Sequence, residues 1–330
     1  MRQAPGFWWR ETSSPAARLL APVGHVYGAL SARRMARAGT GVPAPVVCIG
    51  NFSLGGAGKT PTALAVAGLL HDLGRRPAFL SRGYGGRLAG PVRVDPARHG
   101  AAEVGDEPLL LARAHPTIVA RDRVAGARAC LTEGADVVVM DDGLQNPGLA
   151  KDLSIAVFDG AVGLGNGRVF PAGPLRAPAA AQWPRIDAAL VIGGGAPGER
   201  LLAEARARGL PALRGRLVPD PAAAAALAGR PVLAFAGIGR PQKFFASLRA
   251  LGADLRETRA FPDHHAFTAA QIDALVAEAA RNNLLLVTTE KDRMRLPGDP
   301  AVATLPVVLA LDAPEALAAL LRRLRGLPGP

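Results

Sequence analysis

Lys59 and Thr60 stand at the end of the run Val46-Val-Cys-Ile-Gly-Asn-Phe-Ser-Leu-Gly-Gly-Ala-Gly-Lys-Thr-Pro-Thr62. An ammonium and a hydroxyl placed directly after a glycine-rich turn can reach the β- and γ-phosphates of a nucleotide and ligate Mg²⁺. Ser53, Gly55, Gly56, Ala57, Gly58 and Pro61 complete the turn. The general phosphate-loop pattern has glycine where Ser53 stands, six residues before the lysine, and here the glycines lie inside the loop instead. Only four of the 39 basic residues are lysine, yet one occupies the required place. A second acidic signal follows in Asp136-Val-Val-Val-Met-Asp-Asp-Gly-Leu-Gln145, where four apolar residues end in Asp141-Asp142. That order delivers a carboxylate to a Mg²⁺ held beside a phosphate loop.

Three further groups can move protons or neutralise charge. Asp106 and Glu107 sit in Gly105-Asp-Glu-Pro108 before an apolar segment, where an acid serves equally well as a helix cap. Phe261-Pro-Asp-His-His-Ala-Phe267 carries His264 in a polar turn, suited to metal binding or to proton transfer. Arg176 ends a glycine- and proline-dense stretch beginning at Gly163, and a guanidinium there can pair with phosphate.

The elements that must hold these groups follow from the apolar pattern. Val46 to Ile49 reads as a buried strand and Ala63 to Leu73 as a helix, with the glycine turn between them. Such a helix start gathers backbone N–H groups and a partial positive charge. Strand-like runs recur at Arg76 to Leu80, Thr117 to Arg121, Asp136 to Met140, Leu153 to Phe158 and Ala188 to Ile192, with helical stretches between several of them. Arg76 to Leu80 runs into Ser81-Arg82-Gly-Tyr-Gly-Gly-Arg87, a basic glycine-rich loop at a strand end, where open parallel sheets bind ligands. A second α/β unit starts near Pro231, with strands at Val232 to Ala236, Leu284 to Thr288 and Val307 to Leu311, and a closing helix from Pro314 to Leu327. The expected architecture is an α/β fold: a phosphate-loop parallel sheet flanked by helices over residues 41–225, a smaller α/β domain over 226–330 that contributes to the cleft, and a membrane-associating segment over 1–40.

Composition narrows the class. The net charge is +12 and 49% of the chain is apolar, enough for a sizeable core. No zinc spacing, RNA-binding aromatic signature or recognition-helix pattern accompanies the charge, which weakens an inference to nucleic acid, and a membrane surface or a phosphorylated substrate explains it as well. Cys48 and Cys130 both fall in apolar segments and read as buried thiols of a reducing compartment. Phe7-Trp8-Trp9 precedes a broken apolar stretch from Ala16 to Leu30, with Arg33, Arg34 and Arg37 beyond it. Arg18, Pro22 and His25 interrupt that stretch, which argues against a signal peptide and a spanning helix; the tryptophans, the short apolar face and the flanking arginines suit a helix lying in a membrane interface, the alternative being a helix that packs on the body of the protein.

Phosphate loop, acid pair and basic loops together specify a phosphotransferase or an NTPase. A guanine-reading Asn-Lys-x-Asp is missing, because Thr289-Glu290-Lys291-Asp292 puts Glu where that motif needs Lys. Asn51-Phe-Ser-Leu-Gly-Gly-Ala-Gly-Lys-Thr-Pro, Ser81-Arg-Gly-Tyr-Gly-Gly, Gly105-Asp-Glu-Pro, Asp141-Asp-Gly-Leu-Gln, Gly173-Pro-Leu-Arg, Phe235-Ala-Gly-Ile, Phe261-Pro-Asp-His-His and Thr289-Glu-Lys-Asp follow one another in an order that resembles the tetraacyldisaccharide 4′-kinase family of lipid A synthesis. The resemblance runs from the N-terminal apolar segment to the last strand. It implies transfer of the ATP γ-phosphate to the 4′-hydroxyl of a tetraacyldisaccharide 1-phosphate, with Mg²⁺, at the cytoplasmic face of the inner membrane. It further implies that Asp106 takes the hydroxyl proton and that His264 pairs with it, orienting it and raising its basicity. Lys59, Thr60 and Asp141 or Asp142 would handle triphosphate and Mg²⁺, with Glu107, Arg82 and Arg176 assisting. The implied partners are the lipid substrate and a membrane surface, with no nucleic acid and no obligatory protein partner. Position 177 is Ala where the family usually continues with Glu, so another acid must hold Mg²⁺ if that Glu does so. Two other readings fit the motifs: a membrane-associated ATPase switch and a soluble kinase for a small metabolite.

Overall fold

A computed structural model of the chain describes residues 4–10, 14–298 and 300–325. Eight strands come first: β1 (Val46–Gly50), β2 (Pro77–Ser81), β3 (Val92–Arg93), β4 (Thr117–Val119), β5 (Val137–Asp141), β6 (Leu153–Asp159), β7 (Ala188–Ile192) and β8 (Ala212–Pro219). Four more, β9 (Pro231–Ala236), β10 (Asp254–Ala260), β11 (Leu285–Thr289) and β12 (Ala303–Leu305), form a separate sheet in the order β10-β9-β11-β12. The last, β13 (Val307–Leu311), returns to the first sheet and makes it nine-stranded, β13-β8-β7-β6-β1-β5-β2-β4-β3.

Both sheets are parallel except at the two edges of the larger one, where β13 runs against β8 and β3 against β4. The inner strands are unbroken apolar runs because both faces are covered. Alternate residues of β1 serve opposite cores: Val46 and Cys48 pack with Trp183, Leu201 and Leu202, whereas Val47 and Ile49 pack with Val66, Leu70, Leu317 and Leu321. Cys48 and Cys130 are both buried and unpaired.

Strands β1, β2, β4, β5, β6, β7, β9, β11 and β13 are those the apolar pattern specifies, with instructive shifts around them, whereas the short strands β3 and β12 carry no pattern to read. The helix after the glycine loop spans Lys59–Asp72 and so begins four residues before the first apolar position that marks it. Pro61 lies in its first turn, where backbone N–H groups have no partner in the helix and proline costs nothing. Gly58 precedes it at φ 88°, a left-handed conformation that suits glycine. Asp106 is the first residue of the short helix Asp106–Leu111, and Gly105 at φ 91° takes the capping position instead. Strand β8 is absent from the sequence reading because Arg214 and Arg216 interrupt its apolar run; Arg214 pairs with Glu199 outside the sheet. The closing helix spans Pro314–Arg322, and positions 326 and 327 of the expected helix lie outside the described residues.

The expected division of the chain differs from the topology at its end. Residues 307–325, assigned from sequence to the smaller domain, complete the larger sheet and bury Leu317, Leu320, Leu321 and Leu324 against its core. The antiparallel pairing of Val307 with Pro219 is the reason, since it closes the edge that β8 would otherwise leave open.

At the N-terminus, the helix Pro15–Met35 is capped by Ser14, whose hydroxyl accepts the Ala17 N–H at 3.1 Å. Small residues line its inner face: a Cβ on Gly24 would come within 2.9 Å of the Val169 carbonyl. Leu19, Val23, Val26 and Leu30 point outward, and Leu19 is 80% exposed. The tryptophans behave differently from the interface anchors expected. Trp8 is buried and donates its indole N–H to the Pro171 carbonyl at 3.1 Å, and the Arg240 guanidinium lies 5.3 Å from the Trp9 ring centre. Among the described residues no helix is long and apolar enough to cross a membrane.

Candidate active site

Parallel pairing brings the C-terminal ends of the central strands to one edge. Ile49 of β1 lies in register with Asp141 of β5, so the glycine loop and the acid pair emerge side by side. The Asp142 N–H donates to the Ile49 carbonyl at 2.9 Å, fixing the turn, and Asp142 itself adopts φ 54°.

The Lys59 ammonium lies 3.4 Å from Asn51 Oδ1 and 3.8 Å from Asp142 Oδ1. Arg176 donates from Nη2 to Asp142 Oδ2 at 3.0 Å and from Nε to the Ser53 carbonyl at 3.1 Å. Lys59, Asp142, Arg176 and the backbone of Ser53 therefore form one network. Behind it, Gln145 Nε2 donates to the Asn51 carbonyl and to Gln182 Oε1, both at 2.8 Å, and the buried Gln182 donates on to the Phe52 carbonyl at 3.3 Å. This amide chain fixes the loop from below. Above it, a Cβ added to Gly55 or Gly56 would meet nothing within 4 Å, so the loop backbone faces an open cradle. Thr60 is half-buried in the first helical turn.

The two acids of the pair are in opposite electrostatic states. Burial pushes the Asp141 carboxyl up to about 7, reinforced by the charge of Glu107 and opposed by Lys59. Burial would also raise Asp142, but Lys59 and Arg176 outweigh it and hold that carboxyl below its usual range. Asp141 Oδ1 and Asp142 Oδ1 are buried without a hydrogen-bond partner among the described residues. Two orphaned acidic oxygens beside a lysine and a half-buried threonine suit a cation that is completed by phosphate oxygens. No cluster of three or more His, Cys, Asp or Glu side chains among the described residues is arranged to hold a metal unaided.

The second constellation joins the two sheets. Asp106 is 3% exposed, and its Oδ2 lies 3.1 Å from His264 Nδ1 and 3.5 Å from Arg295 Nε. Its Oδ1 accepts the Glu107 N–H at 2.9 Å. His264 Nε2 is 3.5 Å from the Lys291 ammonium, which pairs with Glu107 at 3.0 Å. An ammonium has only donors, so the facing Nε2 is the acceptor and Nδ1 carries the proton toward Asp106. Burial alone would raise the Asp106 carboxyl, but the hydrogen bond from His264 and the charges of Lys291 and Arg295 hold it below its usual range. The pairing is as expected from the resemblance, whereas its electrostatic sign is the reverse: a donor to the ionised carboxylate stabilises that form and lowers its basicity. Tyr84, from the loop after β2, brings its ring to 5.6 Å from His264, while Arg82 is exposed beside it.

A third contact also spans the sheets. Asp159, at the end of β6, receives Arg240 at 2.7 Å and Lys243 at 2.6 Å from the start of the helix Pro241–Ala250, which follows β9 of the smaller sheet. Neither these residues nor Lys291, Arg295 and Gln182 were among the site residues expected from the sequence, although Lys291 lies in the Thr289-Glu-Lys-Asp292 motif. A usable signal existed for two of them: in a chain this rich in arginine, Lys243 and Lys291 are as rare as Lys59. Gln182 lies in an alanine-rich segment with no pattern to single it out.

Comparison with known proteins adds to this geometry. The profile of a family described as tetraacyldisaccharide-1-P 4′-kinase matches residues 16–325. A protein named tetraacyldisaccharide 4′-kinase from Methylobacterium sp. strain 4-46 is 71% identical, covering 99% of this chain and 100% of the relative. One of the same name from Bradyrhizobium sp. is 54% identical, covering 96% and 93%. A crystal structure of LpxK from Aquifex aeolicus in complex with ATP superposes with a TM-score of 0.73 at 26% identity, covering 93% of this chain and 98% of that one.

Proposed function

The chain belongs to the tetraacyldisaccharide-1-P 4′-kinase family, and we infer that it transfers the γ-phosphate of ATP to the 4′-hydroxyl of a tetraacyldisaccharide 1-phosphate, a step of lipid A synthesis. The observation that carries this reading is Asp106, a carboxylate 3% exposed and oriented by His264 from the opposite sheet. A sugar hydroxyl is a poor nucleophile, and in a loose phosphoryl-transfer transition state the enzyme offers position and a late proton acceptor. A low-basicity aspartate suits that role, because the proton moves only when the oxygen has begun to bond phosphorus.

In this assignment the glycine loop from Ser53 to Pro61 receives the triphosphate, and Lys59 and Arg176 neutralise its outer oxygens. Asp106 aligns the hydroxyl and accepts its proton, and His264 holds the carboxylate in place. Thr60 and Asp141 or Asp142 would hold Mg²⁺, with Glu107 as a further acid nearby in place of the Glu that Ala177 replaces. When bound, the ion would neutralise charge on the triphosphate. We assign residues 41–225 together with 307–325 to the nucleotide-binding body and 226–305 to a lobe that brings His264.

The substrate's acyl chains favour work at a lipid surface. Leu19, Val23, Val26 and Leu30 fall on one exposed face of the first helix, with Tyr27 and Phe170 beside them at 5.6 Å between ring centres. Arg33 and Arg34 lie in its last turn. This supports peripheral attachment to the cytoplasmic face of the inner membrane, with the acyl chains left in the bilayer. No protein partner is required by the reading.

The test is transfer of labelled γ-phosphate from ATP to tetraacyldisaccharide 1-phosphate in detergent, with and without Mg²⁺. A labelled lipid formed only with Mg²⁺ is expected. ATP hydrolysis without a lipid product would overturn the kinase assignment in favour of an ATPase switch.

A further inference from the structure

We propose that Arg295 is the positioning residue of this site, fixing His264 and Asp106 relative to each other from between the two sheets. The inference rests on Asp106 acting as the proton acceptor.

Arg295 follows the short helix Glu290–Arg293, and its side chain is 7% exposed. Nη2 donates to the Gly237 carbonyl at 2.9 Å and to the Asp292 carboxylate. Asp292 is fully buried and accepts the Gly237 N–H at 3.0 and 3.1 Å and the Thr289 hydroxyl at 2.7 Å. Arg295 and Asp292 thus clamp both polar groups of one peptide residue, Gly237. The clamped carbonyl also accepts the His264 N–H at 3.0 Å. His264 adopts φ 56°, a left-handed conformation that a residue with an imidazole seldom takes without support. The carbonyl held by Arg295 is that support. A side chain at Gly237 would come within 3.1 Å of Asp292 and 3.2 Å of His265 Cβ, so the turn has little room to relax.

The same guanidinium faces the other sheet. Nε is 3.5 Å from Asp106 Oδ2, the oxygen that also faces His264. Nε and Nη1 are buried and have no hydrogen-bond partner among the described residues. An arginine serving only to neutralise Asp292 would not need to leave two donors buried and unmet, at a cost in desolvation. Approach of the lobes by about half an ångström turns the Nε contact into a hydrogen bond. Oδ2 then has two donors, from His264 and Arg295, and the carboxylate is fixed against rotation. Lysine cannot replace this: its point charge lacks the planar fork that reaches Gly237, Asp292 and Asp106 at once.

The experiment compares Arg295→Lys and Arg295→Ala with the intact enzyme. In the transfer assay, kcat is expected to fall about a hundredfold in both, as for a misplaced reacting group. KM for ATP should stay within about twofold, because the glycine loop is untouched. Added methylguanidinium should restore part of the Arg295→Ala rate and leave the intact enzyme unaffected. Independently of catalysis, the His264 Nδ1–H resonance of the protein without substrates should shift in both variants. The proposal is overturned by an Arg295→Lys enzyme with unchanged kcat, by a loss that resides in KM for ATP, or by a His264 resonance that does not move. Failure of the proton-acceptor reading is separable: Asp106→Asn would keep its turnover while the resonance still responded to Arg295.

Discussion

Replacing Asp106 by asparagine changes charge with almost no change in volume. The amide has a single oxygen, so it can keep the hydrogen bond from the Glu107 N–H, now 2.9 Å from Oδ1, or present that oxygen to His264, but not both. What it loses is the ability to take a proton. Positioned general bases contribute about 10²- to 10⁴-fold, which is about 2.7–5.4 kcal/mol at 1.36 kcal/mol per decade. The upper part of that range is expected here, because a carboxylate that is 3% exposed leaves little room for water as a substitute base. Lys59, Arg176 and Asp142 lie in a separate network, so affinity for ATP should change by less than about twofold. Single-turnover transfer from labelled ATP, with nucleotide binding measured by calorimetry, separates the two effects. His264→Gln should cost less, about 10- to 10²-fold, and the double variant should be little worse than Asp106→Asn alone, since the two act as one unit. Stability gives a second check. The folded-state Asp106 carboxyl lies below its ordinary value, so its ionised form contributes stability above that value and loses it as pH falls. The melting-temperature gap between wild type and Asp106→Asn should therefore close in acid. Turnover within tenfold of wild type in Asp106→Asn would refute the assignment.

Three further outcomes are expected. Lys59→Met should weaken ATP binding by at least about tenfold without disturbing the fold, measured by calorimetry and circular dichroism. Asp141, with its carboxyl near 7 in the protein without ligands, holds a proton that the unfolded chain has already released between about pH 4 and 7. Its contribution to stability is complete below the ordinary aspartate value and lost as pH rises through about 7; Asp141→Asn should remove that slope from the melting curves, and Mg²⁺ with nucleotide should release a proton near pH 6 in wild type but not in the variant. Replacing Leu19 and Val23 by serine should remove at least about 3 kcal/mol of interfacial burial and weaken partition to anionic vesicles about a hundredfold, with turnover in detergent unchanged.

The end of the candidate site proposed to take the nucleotide was legible as a cluster because it is local. Lys59 and Thr60 follow their glycines directly, and Asp141 and Asp142 end an apolar run, so strand and helix geometry alone places them. The other end is assembled over 158 residues between Asp106 and His264, a distance that periodicity does not reach. Those residues stood out only as chemistry without context, or through the family resemblance. Arg295 and Gln182 were invisible for a different reason: their roles depend on which backbone carbonyls they meet, and that is decided by packing. The return of β13 to the large sheet was likewise hidden, since Val307 to Leu311 reads as a strand of either sheet. The misread tryptophans show the limit of composition: Trp8 has the right type for a membrane interface but is spent on holding the N-terminal segment to the body through Pro171.

That late return of β13 has a consequence for biosynthesis. When the ribosome has delivered residue 219, eight strands of the large sheet are available, but the outer edge of β8 has no partner. The partner is encoded 88 residues later, where Val307 pairs with Pro219, after the whole smaller sheet has been made. Until then the nascent chain presents Leu217 on a bare edge and an uncovered core face where Leu317, Leu320 and Leu321 will dock. A transcript truncated near residue 305 would encode every group of the site and still yield a protein with an open edge, prone to associate through it. Completion of the chain therefore acts as a quality checkpoint on the fold, set by residues that take no part in the chemistry.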